Sequence, residues 1–400
     1  MGDRDTPTRR QFLAAGSVIG TAALAGCNGI FSGGGEETTS STTSTGTTST
    51  GTTSTSTSRD VDISNWRGSS PLVQDRPMPG GPSITEMPDL EGELTLYIGG
   101  GEGGLYQQLA TLLQKHYPDF TVHTRYSAAN QVLTEGQNGQ VRADVFWAND
   151  AGSLGVVEDA DLAASLDGDT TDLVPSRYHT DAWTGVAGRA RAIPYNTKQF
   201  SESDVPDSID AFTDTADLDA KMGWAPSYPA FQSFVTAMRV LEGEDATRSW
   251  LNGMQERGHG GMSQYKNEWY VSNAVADGEI GAGIANHYYT IRVISSRPNA
   301  PIDLAFTKND AGALVDVAGA EVMKDTSNPE LAQNFVHHLL SAEAQEFLAT
   351  WSFAYPMIGG VDPVEQLPAL SALNPPDLDL TKLANVQPTL DLLRQTGVLS

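Results

Sequence analysis

Cysteine is almost absent from this chain of 400 residues, in which Cys27 stands alone. A single cysteine cannot close an internal disulfide, hold an iron–sulfur cluster or form a cysteine-rich zinc site. The sequence therefore excludes a disulfide-stabilised scaffold and these two kinds of metal centre. At about 150 residues per domain, the length suggests two domains together with additional segments.

Basic residues are also scarce, with 24 Lys and Arg against 50 Asp and Glu, so the net charge is −26. A surface this acidic repels nucleic acid and anionic lipid, and neither is expected as a partner. The acidic residues are scattered along the chain and lysine occurs only 7 times. This pattern is typical of proteins from halophilic prokaryotes, in which the charge maintains solubility in concentrated salt.

The first 26 residues have the pattern of an export signal. Arg9 and Arg10 precede an apolar run at residues 14–25, which is too short to cross the roughly 30 Å core of a bilayer as a helix. Twin arginines indicate the twin-arginine export route. The run ends in Leu24-Ala25-Gly26-Cys27, which resembles a lipoprotein box. We therefore predict that Cys27 is the lipid anchor and holds the protein at the outer face of the cell membrane.

Residues 27–92 have the composition of a tether and spacer. Every residue from Thr38 to Ser58 is Thr, Ser or Gly, and such a segment cannot bury enough apolar surface to offset its ordering entropy. Residues 67–92 are rich in Pro and Gly and are predicted to form a second spacer. The folded body is therefore expected to begin at residue 93.

Strand and helix patterns alternate in the body. Residues 94–98, 120–125 and 143–148 have the pattern of strands, and leucines at helical spacing lie between the first two. A β-α-β order predicts an α/β fold with a parallel sheet, whose ligands bind at the carboxyl ends of the strands. The loops at residues 99–103 and 149–150 are therefore expected on one rim, and a second α/β lobe is expected in the middle of the chain.

Tyr288 and Tyr289 are the first candidate ligands, because they follow a strand-like run at residues 281–286. Phenolate oxygen suits a hard cation such as ferric iron, whose charge can ionise a phenol with an ordinary pKa of about 10. Adjacent side chains on a strand point to opposite faces, so these two converge only in a loop or in the first turn of a helix. Packing in an apolar core is the alternative.

The order and spacing of these segments resemble the ferric-ion-binding family of extracellular solute-binding proteins that serve ABC transporters. The resemblance extends from about Leu94 to Leu393. The matching stretches are Leu94-Thr95-Leu96-Tyr97, Ala143-Asp144-Val145-Phe146-Trp147, Gly188-Arg189-Ala190-Arg191, Tyr195-Asn196-Thr197, Gly223-Trp224-Ala225-Pro226, Asn267, Asp277-Gly278-Glu279-Ile280, Asn286-His287-Tyr288-Tyr289 and Gly312-Ala313-Leu314-Val315.

This resemblance implies a periplasmic-binding-protein fold of type II, with two α/β lobes joined by two crossing strands around a cleft. Lobe 1 would comprise residues 93–190 and 318–368, and lobe 2 would comprise residues 191–317 and 369–400. The crossings are expected near residues 190–195 and 306–318. Metal would bind in the cleft, which closes by a hinge motion.

The same resemblance implies that Tyr288 and Tyr289 bind the metal. Some members of the family add a His and a Glu, but the corresponding residues here are Gly101 and Asn149. Other members use a third tyrosine at the position of Tyr228. The sequence therefore resembles the three-tyrosine version of the site.

Further cleft residues are implied around these tyrosines. Arg189 and Arg191 could hold carbonate or another synergistic anion, whereas Pro229 has no N–H to offer. The additional candidates for ligands or cleft residues are Glu102, Asp150, Asn149, Asn286, His287 and Asn267.

The implied function is the capture of Fe(3+) as a transported ligand and its delivery to the permease and ATPase of an ABC importer, by a protein that acts as a monomer. No nucleophile–base set can be argued from spacing, so an enzyme is not expected. The alternative is that the same fold binds a phosphonate or an organic cation, such as a thiamine-like compound or a polyamine. Four residues could then form an aromatic cage: Trp147, Trp183, Trp224 and Trp269.

Overall fold

The computed structural model describes residues 61–100, 104–213, 218, 220–257 and 261–399. The predicted signal, Cys27, the Ser/Thr/Gly tether and Glu102 lie outside the described residues. Within the described ranges, no helix has the length and apolar character needed to cross a membrane.

Parallel β-α-β units open the body, as the alternating pattern predicts. Strand β1 (Gly92–Ile98) pairs in parallel with both β2 (Phe120–Tyr126) and β3 (Val145–Ala148). The helices of this part are α1 (Leu105–His116), α2 (Ala129–Gln137), α3 (Ala151–Asp159) and the single turn α4 (Gly168–Thr171). Leu109 and Leu113 of α1 are fully buried, because their spacing places them on one face of the helix.

The middle of the chain forms a second set of strands and helices. Its strands are β4 (Trp183–Asn196), β5 (Met222–Trp224), β6 (Met262–Gln264), β7 (Ala282–Gly283), β8 (Ala285–Asn286) and β9 (Ile302–Ala305). Its helices are α5 (Pro229–Glu242), α6 (Glu244–Glu256), α7 (Glu268–Asp277) and α8 (His287–Ser296).

The chain then adds one more strand to the first part of the sheet, and helices follow that strand. These elements are β10 (Val315–Val322), α9 (Pro329–His338), α10 (Ala342–Phe347), a π-helical turn (Leu348–Ser352) and α11 (Gln387–Gln395). Helix α9 packs against β10 and β1, whereas α11 packs against α5 and α6. A short helix at Leu380–Ala384 packs against α3 and α5.

Strand β4 belongs to both halves of the sheet. Its residues up to Ala190 pair antiparallel with β10, and its residues from Arg191 onward pair with β7, β8 and β9. The main path of the sheet, among the described strands, runs β2-β1-β3-β10-β4-β7-β5-β6. We call the part around β1, β2, β3 and β10 the first half, and the part around β5–β9 the second half. The chain therefore passes between the halves within β4 and again between β9 and β10.

Residues 67–91 of the predicted spacer (67–92), together with residues 61–66, do not lie free of the body. Trp66, Val73, Ile84 and Leu90 of this segment are buried against the body. The segment contains only short 3-10 turns, as its composition leads one to expect, but its apolar residues are spaced so that each reaches the body. We call residues 61–91 the strap.

Candidate metal site

Tyr288 and Tyr289 lie in the first turn of α8, directly after β8. Both are buried, and their ring centroids are 4.5 Å apart. The first turn of a helix is one of the two settings in which neighbouring phenols can converge. The paired tyrosines therefore lie in a helix, where their side chains can converge. In an extended strand they would point to opposite faces.

Tyr228 reaches the same place from a different element. It is the N-cap residue of α5, which follows β5, and Pro229 occupies the first helical position. The hydroxyl of Tyr228 forms a hydrogen bond with the hydroxyl of Tyr289, and their ring centroids are 6.1 Å apart. The starts of two helices thus bring two phenol oxygens within reach of one cation.

Guanidinium groups flank the tyrosines. Nη2 of Arg189 donates to the Tyr288 hydroxyl at 3.4 Å, and Nδ2 of Asn286 donates to it at the same distance. The guanidinium carbon of Arg292 is 5.1 Å from the ring centroid of Tyr288 and 5.7 Å from that of Tyr289. Positive charge beside a phenol stabilises the phenolate, which is the form that binds a metal.

Arg191 is buried beneath the tyrosines in an ion pair with Glu268. Its Nη1 is 2.5 Å from Oε1 of Glu268 and donates to Oδ1 of Asn286 at 3.0 Å. The other Glu268 oxygen accepts from the Asn286 N–H at 2.7 Å. Nε and Nη2 of Arg191 are buried and find no hydrogen-bond partner among the described residues. Because buried polar groups are normally paired, these two donors mark a place for an acceptor.

A cavity of about 40 Å³ lies beside Arg191 and is lined from both halves of the sheet. Its lining residues are Asn149, Asp150, Arg189, Arg191, Pro229, Ala230, Ser233, Asn286, Leu314 and Asp316. A water molecule needs roughly 10–15 Å³ of such volume, so the cavity accommodates about three waters or one small oxyanion. The loop after β3 and the start of α5 therefore meet across a closed cleft.

Asp316 is a buried carboxyl at the edge of this cavity. Its Oδ1 accepts from the backbone N–H groups of Val317 at 2.8 Å and Ala151 at 3.2 Å. Burial and the negative charge of Asp150 raise the pKa of Asp316, Arg189 opposes both, and the resulting value is about 6. The sequence analysis missed Asp316, although an acidic residue inside the apolar run at residues 313–320 is a visible signal.

Comparison with known proteins identifies the family. A family model described as bacterial extracellular solute-binding protein matches residues 108–375. The major ferric iron-binding protein of Neisseria meningitidis serogroup B is 31% identical over 278 residues, which are 68% of this chain and 82% of that protein. The chain belongs to the iron(III) extracellular solute-binding protein family.

Two further relatives support this membership. The Fe(3+)-binding periplasmic protein of Serratia marcescens is 30% identical over 278 residues, which are 68% of this chain and 79% of that protein. The structure of iron-bound HitA from Pseudomonas aeruginosa matches with a TM-score of 0.66 and 29% identity, over 76% of this chain and 99% of that one. The expected type II periplasmic-binding-protein fold is therefore confirmed, and the first and second halves of the sheet are its lobes 1 and 2. The residue limits given above for each lobe stay a prediction.

In this member of the family, two of the predicted cleft residues cap helices, and the main chain of a third accepts a hydrogen bond. Asp150 caps α3 by accepting from the Ser153 N–H at 2.7 Å, and Asn267 caps α7 by accepting from the Trp269 N–H at 3.1 Å. The carbonyl oxygen of Asn149 accepts from Arg189. Within the part of the chain that the structure describes, no group of three or more His, Cys, Asp or Glu side chains is placed to hold a metal ion.

His287, predicted as a possible additional ligand or cleft residue, is the first residue of α8. Its ring is fully buried, Nδ1 accepts from the Ala190 N–H at 3.2 Å, and Nε2 is 2.8 Å from the carbonyl oxygen of Phe353. Both ring nitrogens therefore contact the main chain of β4 and of the segment after the π-helical turn. We therefore infer that His287 holds the start of α8 rather than binding metal.

Proposed function

We propose that this protein captures Fe(3+) through the phenolates of Tyr288, Tyr289 and Tyr228 and delivers it to the permease and ATPase of an ABC importer. The observation that carries the proposal is the hydroxyl–hydroxyl hydrogen bond of Tyr228 and Tyr289 at the starts of α5 and α8, with the ring of Tyr288 4.5 Å from that of Tyr289. Ferric iron is a hard cation that prefers anionic oxygen, and flanking guanidinium groups stabilise such oxygen. The names of the relatives, which describe ferric iron-binding proteins, support the same cargo.

We propose that a small oxyanion such as carbonate binds together with the iron. Nε and Nη2 of Arg191 are the unpaired donors, and the adjacent cavity of about 40 Å³ has the size of such an anion. A guanidinium presents two parallel donors to a planar oxyanion. Pro229 supplies no N–H at the start of α5, so the arginine side chains take this role.

The alternative of an organic cation has no support in this geometry. Trp147, Trp183 and Trp224 are at most 2% exposed and pack in the core, so they do not form an aromatic cage. The cavity of about 40 Å³ is too small for a thiamine-like compound.

We further propose that the protein is exported by the twin-arginine route, is lipidated at Cys27 and acts as a monomer. The lipid anchor is its only contact with the membrane apart from the permease. Metabolic labelling with a fatty-acid analogue tests the lipidation of Cys27, because Cys27→Ser should remove the label and release the protein into the medium.

The iron proposal is tested by visible absorption, because charge transfer from phenolate to ferric iron gives a coloured complex. Adding ferric citrate to the apo protein should produce the band, and the Tyr288→Phe, Tyr289→Phe double variant should lack it. Tyr270→Phe is the matched control, since Tyr270 is 50% exposed and is not among the proposed ligands. Absence of a band in the unmodified protein contradicts the proposal.

A further inference from the structure

The strap is attached to lobe 1 by a buried carboxylate. Nε of Arg67 is 2.6 Å from Oε1 of Glu346, and Nη2 of Arg76 is 2.9 Å from Oε2 of the same residue. Glu346 lies in α10 and is fully buried, so the two strap arginines provide its compensating charge. The first part of the strap is therefore held firmly on α10.

The end of the strap is held on the same helix. Oγ of Ser83 donates to Oε1 of Glu343 at 2.7 Å, and the Ile84 N–H donates to Oε2 of Glu343 at 3.0 Å. Ile84 belongs to the apolar core that also contains residues of β1 and α1. Both ends of the strap thus move with lobe 1.

The middle of the strap contacts lobe 2. Oγ of Ser70 and Oγ of Ser295 are 2.7 Å apart and share a hydrogen bond. Ser295 is in the last turn of α8, the helix whose first turn carries Tyr288 and Tyr289. The strap therefore connects α10 of lobe 1 to the helix that carries the candidate ligands.

The solved relative has no counterpart for part of this chain. HitA is covered over 99% of its length by 76% of this chain, which leaves about a quarter of the chain without a counterpart. The residues that precede β1 make up a similar share of the chain. We infer from these similar shares that the strap belongs to the part of the chain without a counterpart, so that its contacts are specific to this protein.

We propose that the strap is a latch that holds α8 against lobe 1 and keeps the cleft closed. The effect of the latch on iron uptake rests on the proposed function, whereas its effect on the position of lobe 2 relative to lobe 1 does not. Opening the cleft rotates lobe 2 relative to lobe 1, while the strap stays on lobe 1. The Ser70–Ser295 contact must then break before the tyrosines become accessible.

The size of the motion supports this requirement. A rigid-body rotation of about 15° displaces a point about 10 Å from the rotation axis by roughly 2.6 Å. A hydrogen bond of 2.7 Å does not survive such a displacement. The latch therefore separates even in a modest opening.

An engineered disulfide tests the proposal, because Cys27 is the sole natural cysteine. In the Cys27→Ser background, the Ser70→Cys, Ser295→Cys double variant joins the strap to α8, while each single variant cannot. The radius of gyration of the apo protein is measured by X-ray scattering, and ferric citrate loading by stopped-flow absorption. We expect the cross-linked apo protein to be more compact than the single variants and to load iron at least tenfold more slowly.

A cross-link within lobe 2 provides the matched control. Oγ1 of Thr236 and Oγ1 of Thr389 are 2.8 Å apart between α5 and α11, so Thr236→Cys, Thr389→Cys should leave radius and loading unchanged. The latch is overturned if the Ser70–Ser295 cross-link changes neither the apo radius nor the loading rate. If none of the proteins loads iron, the proposed cargo is wrong and the scattering comparison alone decides the latch.

Discussion

The hydroxyl groups of Tyr228 and Tyr289 share a hydrogen bond although the two residues are 61 positions apart in the chain. Each begins a helix, and each helix follows a strand of lobe 2. The contact means that a cation bound by Tyr289 is also within reach of Tyr228.

Tyr228→Phe is expected to weaken ferric iron binding at least tenfold and to shift the charge-transfer band without abolishing it. The reason is that one phenolate oxygen is lost while Tyr288 and Tyr289 remain. Competition with citrate, followed by absorption, measures the affinity. Tyr270→Phe should leave both the affinity and the band unchanged, and an unchanged affinity in Tyr228→Phe would remove Tyr228 from the ligand set.

Arg191→Met is expected to destabilise the protein by about 3–5 kcal/mol, because it leaves the buried carboxylate of Glu268 without its charge partner. The double variant Arg191→Met, Glu268→Gln should regain most of that loss. Denaturant unfolding measures both effects.

The same double variant tests the anion site. Iron loading of the unmodified protein is expected to depend on bicarbonate, whereas loading of the double variant is expected not to, because the two unpaired donors of Arg191 are gone. Bicarbonate dependence that survives in the double variant would show that the anion binds elsewhere.

His287→Ala is expected to lower the free energy of unfolding by about 2–4 kcal/mol and to weaken iron binding. It removes two hydrogen bonds to the main chain and leaves a cavity at the start of α8. The wavelength of the charge-transfer band should stay the same, since the imidazole is not a ligand. A shift in the wavelength of the band would show that His287 is a ligand. His123→Ala, on the exposed part of β2, is the control.

Glu321 on β10 has a fully buried carboxyl whose two oxygens find no hydrogen-bond partner among the described residues. Burial raises the pKa of Glu321 well above its usual range, and the negative charge of Glu158 acts in the same direction. The unfolded chain therefore ionises first as pH rises above about 4.5, and stability falls with rising pH until the folded group also ionises.

Glu321→Gln should remove this penalty and raise the free energy of unfolding at pH 8 by about 1–3 kcal/mol, with little change at pH 4. Denaturant titrations at both values, with the exposed Glu365→Gln as control, measure the difference. A gain of equal size at both pH values would mean that ionisation of Glu321 is not the cause.

Periodicity was sufficient to predict the β-α-β units of lobe 1, since the apolar spacing of strands and helices is set locally. The position of Tyr288 and Tyr289 after a strand likewise identified the candidate site. Glu268 was missed because an acidic residue at the start of a helix normally indicates only a capping charge. Its pairing with Arg191 spans 77 residues and follows from the packing of α7 on β4.

The strap is the largest difference between the expected and the observed fold. Proline and glycine led to the prediction of a spacer at residues 67–92, but composition does not reveal where isolated apolar side chains and arginines bind. Arg67 and Glu346 are 279 residues apart, and nothing in either local sequence indicates the other.

The sequence by itself determined the order of strands and helices, the acidic surface, the predicted anchor at Cys27 and the paired tyrosines, because each depends on neighbouring residues or on composition. Only the tertiary structure decided that Tyr228 meets Tyr289, that Arg191 is buried with two unpaired donors and that the strap joins lobe 1 to α8. These contacts join residues that are far apart in the chain, and they form where whole apolar faces pack against one another.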